Sequence, residues 1–230
     1  MARHIGIVAV SPEGASLAYR QLLRQAARLV SPHEHPTVSL HNEPLAGYLD
    51  AVRSDDWHRV GELLRRSAEQ LRALGAEIII CPDNAVQHAT YLAQVDGAEW
   101  LAMPDLVADR VIAAGHQTVG VIGTKMVTGG STYQTHLGVK GVQVLAPEPE
   151  EADRLDEIIF GELIYGRFRL ESQRVVVGVI EHLAGRGCDA VILGCSEAPL
   201  VVTGENSPLP VFDATDILAA GAVRRAIQPA

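Results

Sequence analysis

Three cysteines in 230 residues, Cys81, Cys188 and Cys195, are an odd number without ligand spacing, which argues against both a disulfide framework and a zinc site. Basic residues are also scarce. The 19 Lys and Arg are outnumbered by 28 Asp and Glu, giving a formal charge of -9. Nucleic-acid phosphates demand clustered cations, and no basic run supplies them. Long apolar runs are missing too: the first, Ile5 to Val10, is a strand's length, too short for a signal peptide's apolar region or a membrane span. The expectation is a cytoplasmic protein with no membrane and no nucleic-acid partner. Neither a GxGxxG fingerprint nor a P-loop is present, so Gly14, Gly129 and Gly130 read as turn formers. No Pro-rich or low-complexity linker divides the chain. Its 47% hydrophobic content is enough for a core that folds without a metal or disulfide staple.

What is present is an alternation of short β-branched runs with longer amphipathic stretches. The runs are IGIVAV (5 to 10), TVSLH (37 to 41), EIIIC (77 to 81), TVGVIG (118 to 123), VQVLA (142 to 146), AVILG (190 to 194) and PVFD (210 to 213). Continuous apolar runs of this length suit strands buried on both faces of a parallel sheet covered by helices. Helices are expected over 16 to 29, 57 to 74, 100 to 114, 131 to 137, 151 to 164, 171 to 184 and 216 to 227. Leu63, Leu64, Ala68, Leu71 and Leu74 mark the apolar stripe of the second. The class is α/β.

An internal duplication organises these elements. HIGIVAVSPEGASLAYRQLL (4 to 23) lies over TVGVIGTKMVTGGSTYQTHL (118 to 137), matching Gly6 with Gly120 and Tyr19 with Tyr133. PTVSLHNEP (36 to 44) lies over GVQVLAPEP (141 to 149). GAEIIICPD and GCDAVILGC then set Gly75 over Gly187 and Asp83 over Cys195. The economical reading is two pseudo-symmetric α/β lobes, 1 to 114 and 115 to 211, each a mostly parallel sheet covered by helices. A C-terminal helix in 212 to 230 packs back on the first lobe, and the active site is expected in a cleft between the lobes. Ligands lie beyond the carboxyl ends of parallel strands, and Asp83 and Cys195 each follow such an end. Opposed acid/base groups of this kind can invert a carbon, one removing a proton and the other delivering one to the far face. The carbanion between those steps needs hydrogen-bond donors at strand-to-helix turns. Ser11, Asn84, Ala85, Thr124 and Ser196 stand at such turns.

VILGCSEAPLVV resembles the GCTE-P-L signature of the aspartate/glutamate racemase family, and CPDNAVQHA is similar to that family's first-cysteine motif. The opening segments of the two lobes are similar to the corresponding family segments. The resemblance covers essentially the whole chain and implies a two-lobed α/β fold and cofactor-independent proton transfer, with neither PLP nor metal. It further implies a small carboxylate or amino-acid substrate and a homodimer. It makes Cys195 one of two acid/base catalysts and puts Asn84, Thr124 and Ser196 where the substrate's carboxylate and amine bind. Departures are equally visible: Asp83 replaces the first cysteine, Ala85 the following threonine, and Leu218 a C-terminal histidine. Ile164 stands where aspartate-specific members carry a basic residue. The leading expectation is an amino-acid racemase or epimerase using Asp83 and Cys195. The alternatives are a single-cysteine decarboxylase of a malonate-type substrate, or a non-catalytic small-molecule binding protein. His88, Arg53, Arg167, Arg169 and Tyr19 with Tyr133 read as structural or solvated residues, and Cys81 and Cys188 as core.

Overall fold

A computed structural model describes residues 2–31 and 33–228. The chain forms two compact units, Met1–Met103 with Thr215–Ala230, and Pro104–Ala214.

In the first unit a parallel sheet runs in the order β2 (Val38–Asn42), β1 (Ile5–Ala9), β3 (Ile78–Ile80), β4 (Glu99–Trp100). Every residue of β1 and β3 is buried, as two-sided apolar runs predict, whereas β2 is an edge strand that stays partly exposed. Helix α1 (Pro12–Leu29) opens on Ser11, whose Oγ accepts from the Gly14 N–H, with Pro12 at the position where a missing N–H costs nothing. Helices α2 (Leu45–Arg53) and α3 (Trp57–Ala73) cover one face, where Tyr48, Leu63, Leu64 and Leu71 cluster with Val8, Val10, Ile79 and Cys81. Asp56 caps α3 by accepting from the Arg59 N–H. Leu74 lies beyond the end of α3 and is 65% exposed, so the expected apolar stripe stops at Leu71. Helix α9 (Ala214–Ile227) belongs to this unit: Gln25 of α1 donates to Asp216 at 2.8 Å, and Arg225 pairs with Glu99 at the sheet edge.

The second unit repeats the topology, with sheet order β6 (Gln143–Leu145), β5 (Thr118–Ile122), β7 (Ala190–Leu193), β8 (Val211–Asp213). Helix α7 (Pro149–Gly161) starts on a capping box between Glu148 and Glu151, and α8 (Leu170–Gly185) packs Val176, Val179, Ile180 and Leu183 beneath the sheet. Helix α4 (Met103–Ala113), counted with the first lobe by the sequence expectation, falls in the second unit from Pro104 onward. Its Asp105 and Asp109 pair with His136 and Lys140, which lie in and just after α6 (Thr132–Gly138).

The ladders place the repeats residue by residue. Gly6 pairs with Ile79 as Gly120 pairs with Val191, and a Cβ on either glycine would crowd the equivalent leucine, Leu71 of α3 or Leu183 of α8. Gly75 and Gly187, which follow those helices, both take a left-handed φ, +94° and +96°. On the other side, Gly6 pairs with Ser39 and Gly120 with Leu145. The expected alignment of 36 to 44 with 141 to 149 is therefore one residue out of register within the strands, because it followed the matching Glu-Pro beyond them.

Other differences are local. The two-residue β4 lies inside what the sequence offered as a loop and helix start, too short for any periodicity. The single long α1 is answered in the second unit by α5 (Lys125–Thr128) and α6, separated at Gly130, where a Cβ would sit 2.5 Å from the Met126 carbonyl oxygen. Tyr133 is accordingly buried while Tyr19 is 40% exposed, so the two tyrosines do not play one packing role.

Candidate functional site

At the carboxyl end of the first sheet, β1 hands over to α1 at buried Ser11, and β3 runs into Cys81-Pro82-Asp83-Asn84. The Ala85 N–H donates to Asp83 Oδ1 at 3.0 Å, a turn closed by the side chain's own carboxylate. Gln87 Nε2 donates to the carbonyls of Cys81 and Asp83, both at 2.8 Å, which ties the loop from below. Asp83 is thus partly buried on a fixed loop, beside buried Asn84 and partly buried Ala85. Cys81 is enclosed in the core, where burial and then the neighbouring Asp83 charge push its thiol pKa far up. A thiol so placed is inert near neutrality. Tyr48 beneath the loop is likewise held protonated, chiefly by burial.

His88 points outward, its ring 3.9 Å from that of Trp57, and partial burial lowers its pKa against the pull of the Asp55 charge. It stays with the structural residues. Arg53 ends α2 exposed.

In the second unit, β5 ends at Ile122 and Thr124 caps α5 with its backbone, making no side-chain cap bond. Its Oγ1 is buried and has no hydrogen-bond partner among the described residues. Such a hydroxyl is an acceptor and donor held out of water. Strand β7 continues through Gly194, whose N–H donates to the Ile122 carbonyl at 2.7 Å and whose missing Cβ would lie 3.0 Å from that same oxygen. Only glycine lets the chain pass so close before delivering Cys195. Cys195 is 6% exposed, and its Sγ donates to Glu197 Oε2 at 3.0 Å; Ser196 and Glu197 are buried. Sequence reasoning did not single out Glu197. Its signal was an acid two residues after the thiol, ahead of the short turn Ala198–Leu200 that folds it back.

Cys188 is buried, and burial raises its pKa. Arg169 pairs with Glu162 at 3.5 Å, and Arg167 lies over the Tyr165 ring, 5.4 Å from its centroid. Leu218 is fully buried in α9.

By the ladders, Ile7–Ile80 in the first sheet answers Val121–Ile192 in the second, so Asp83 and Cys195 hold equivalent positions, each three residues past the paired isoleucine. A model of the Asp/Glu/Hydantoin racemase family matches residues 6–222, nearly the whole chain. The chain belongs to that family. Solved structures carry the same fold. A Yersinia pestis protein described as a candidate Asp/Glu racemase superposes with a TM-score of 0.85 at 24% identity, over 98% of this chain and 100% of the other. An aspartate racemase homologue from Pyrococcus horikoshii OT3 gives 0.82 at 24% identity over 99% and 100% of the two chains. Picrophilus torridus aspartate racemase gives 0.81 at 18% identity over 97% and 94%. Family membership supports an enzyme of racemase type, and the family's two-lobe α/β architecture is the one built by the two repeated sheets. Among the described residues, no helix is long and apolar enough to cross a membrane.

Proposed function

We propose that this family member is a cofactor-independent amino-acid racemase or epimerase in which Asp83 and Cys195 act from opposite faces of one carbon. The observation that carries the reading is the occupation of equivalent strand ends by a carboxylate and by a thiol already hydrogen-bonded to a buried carboxylate. In one direction the Asp83 carboxylate takes the proton from the carbon next to the substrate's carboxylate. The electron pair is held as an enediolate, and the Cys195 thiol returns a proton to the other face. Asp83 is then protonated and Cys195 a thiolate beside Glu197, and proton exchange with solvent resets the pair. In the reverse direction the roles exchange: the Cys195 thiolate takes the α-proton, protonated Asp83 returns one to the other face, and the Glu197 carboxylate accepts from the thiol that results. The substrate carboxylate and amine are met by Ser11, Asn84, Thr124 and Ser196, neutral polar groups suited to an enediolate, while the Ala85 N–H, expected from the sequence to meet substrate, is engaged by Asp83 Oδ1. The partner is a small carboxylate or amino acid. The enzyme works without PLP or metal, in the cytoplasm, as a homodimer.

A second reading has one observation in its favour. Cys81, which also follows a strand, is closed in the core with its pKa pushed up by burial, which leaves Cys195 as the one strand-end thiol suited to proton transfer, as in a decarboxylase that loses CO2 from a malonate-type substrate and protonates the enediolate once. Incubation with D- and L-amino acids in deuterated water separates the two. A racemase places deuterium on the α-carbon without CO2 release while interconverting the enantiomers, and Cys195→Ala abolishes that interconversion. Interconversion at the parent rate by the Cys195→Ala variant refutes the assignment.

A further inference from the structure

The two repeated strand ends are built differently at one residue. In the second unit Gly194 extends the β5–β7 ladder, its N–H donating to the Ile122 carbonyl at 2.7 Å, and the ladder's last pair is Ile122 with Leu193. By the same register the first unit has Pro82 in place of Gly194 and Val8 in place of Ile122. Proline carries no N–H, and the β1–β3 ladder ends one pair earlier, at Ile7 with Ile80. The segment that carries Asp83 therefore leaves its sheet without the bond that ties the Cys195 segment to its own. Gln87 supplies a bond of another kind. It opens the short turn Gln87–Ala93, is 6% exposed, and its Nε2 donates to the Cys81 and Asp83 carbonyls, each at 2.8 Å. Two acceptors on one nitrogen use both hydrogens of the amide and fix which end of it faces the loop. Those carbonyls belong to the peptide planes before Pro82 and after Asp83, so a single side chain sets the backbone on both sides of this pair. The position equivalent to Gln87 in the second unit is Pro199, which has no donor, in keeping with a ladder that needs none there.

We infer that Gln87 is the positioning residue for Asp83, standing in for the ladder N–H that Pro82 lacks. The inference rests on the racemase reading and adds a residue to it. Gln87 acts through the backbone of residues 81 to 83, and what it sets is the direction in which the Asp83 carboxylate leaves the loop. The Ala85 N–H, 3.0 Å from Oδ1, then restrains the carboxylate itself. Direction is decisive for a base, because proton transfer requires the two heavy atoms at hydrogen-bond distance. Without the amide, the Cys81 and Asp83 carbonyls lose this donor inside the protein, and the loop must turn to find another. That turn carries the carboxylate away from the proton it is to take.

The test follows α-proton loss by NMR, with the full chain in deuterated water and separate samples of the D- and L-enantiomers of each chiral protein amino acid. Each enantiomer gives its α-proton to one base, so Asp83→Asn identifies the enantiomer that Asp83 serves. Gln87→Met keeps the length of the side chain and removes both donors. It is expected to slow that enantiomer about a hundredfold, as a misplacement of about 1 Å does, and the other by less than about threefold, with KM little changed. Both rates are read on one preparation, so a loss of folded protein lowers them alike and leaves their ratio in place. Equal slowing of the two enantiomers, or none, overturns the inference and leaves the racemase reading standing. A parent that removes α-protons from none of these compounds, or an Asp83→Asn variant without preference between enantiomers, overturns both. Pro82→Gly in the Gln87→Met background restores the N–H that Gly194 provides in the second unit, and is expected to recover about tenfold of the lost rate. A double variant as slow as Gln87→Met refutes the replacement of the ladder bond by the amide.

Discussion

Thr124→Val offers a test in which stability and ligand binding are expected to move in opposite directions. The Thr124 Oγ1 is buried without a hydrogen-bond partner among the described residues, and it contributes no cap bond to α5. A buried polar group left unsatisfied costs ~1–3 kcal/mol, whereas a methyl of nearly the same size carries no such penalty. The ligand-free variant is therefore expected to be more stable by ~1–2 kcal/mol, which raises Tm by roughly 2–8 °C for a chain of this size. If the hydroxyl serves a carboxylate, its removal forfeits a hydrogen bond to a charged group, worth ~1.5–3 kcal/mol, and KM rises by about one to two decades. Denaturation without ligand reads the first effect, and saturation with whichever compound exchanges its α-proton fastest reads the second. Thr124→Ser, which keeps the hydroxyl, should keep the affinity. A Thr124→Val variant less stable than the parent by ~1 kcal/mol, or one that binds substrate unchanged, refutes the assignment of this hydroxyl to the ligand.

Two further predictions concern the frame. Gly6→Ala and Gly120→Ala each put a Cβ within 2.9 Å and 2.8 Å of Ile79 and Leu183 methyl carbons, so each should cost ~1–3 kcal/mol in urea denaturation, and a cost near zero for either contradicts the packing described. Cys81 holds its proton in the folded state far past the ordinary thiol range, while the unfolded chain releases it near pH 9. The stability it contributes is fully present below that pH and declines above it, by up to ~1.4 kcal/mol per pH unit. Cys81→Ala should flatten this slope between pH 8 and 10, and identical slopes in parent and variant would show that the thiol is not buried.

The legible part of the fold is the part dictated by two-sided burial. Ile5 to Ala9, Ile78 to Ile80, Thr118 to Ile122 and Ala190 to Leu193 form the sheet centres and announce themselves as unbroken apolar runs, because both faces are covered. Features that depend on a partner in space were not legible. Nothing in Glu99-Trp100 marks a strand except its pairing with Ile78 and Ile79. The register of β6 was missed by one because the matching Glu-Pro lies outside the ladder that sets it. The matching of position 83 with position 195 agrees with the ladders for a related reason: the repeat from Gly75 and Gly187 runs through the central strands, where ladder and sequence agree.

The candidate site shows the same division. Asp83 and Cys195 were visible as residue types at strand ends, but the bond between Cys195 Sγ and Glu197 Oε2 depends on how the turn after Ser196 folds back, which no spacing rule specifies. That bond makes the two halves chemically unequal. On one side a carboxylate is restrained by the Ala85 N–H; on the other a thiol donates to a buried carboxylate. An enzyme with this pair has no reason to run its two directions through equivalent protonation states. A racemase of this construction should show different pH profiles for kcat/KM with the two enantiomers of one substrate, because Asp83 must start ionised for one and protonated for the other. A decarboxylase needs Cys195 to deliver one proton and leaves the Asp83 position unused as a base. Asp83→Asn therefore separates the readings: it should stop the interconversion of enantiomers by a racemase and leave CO2 release by a decarboxylase in place.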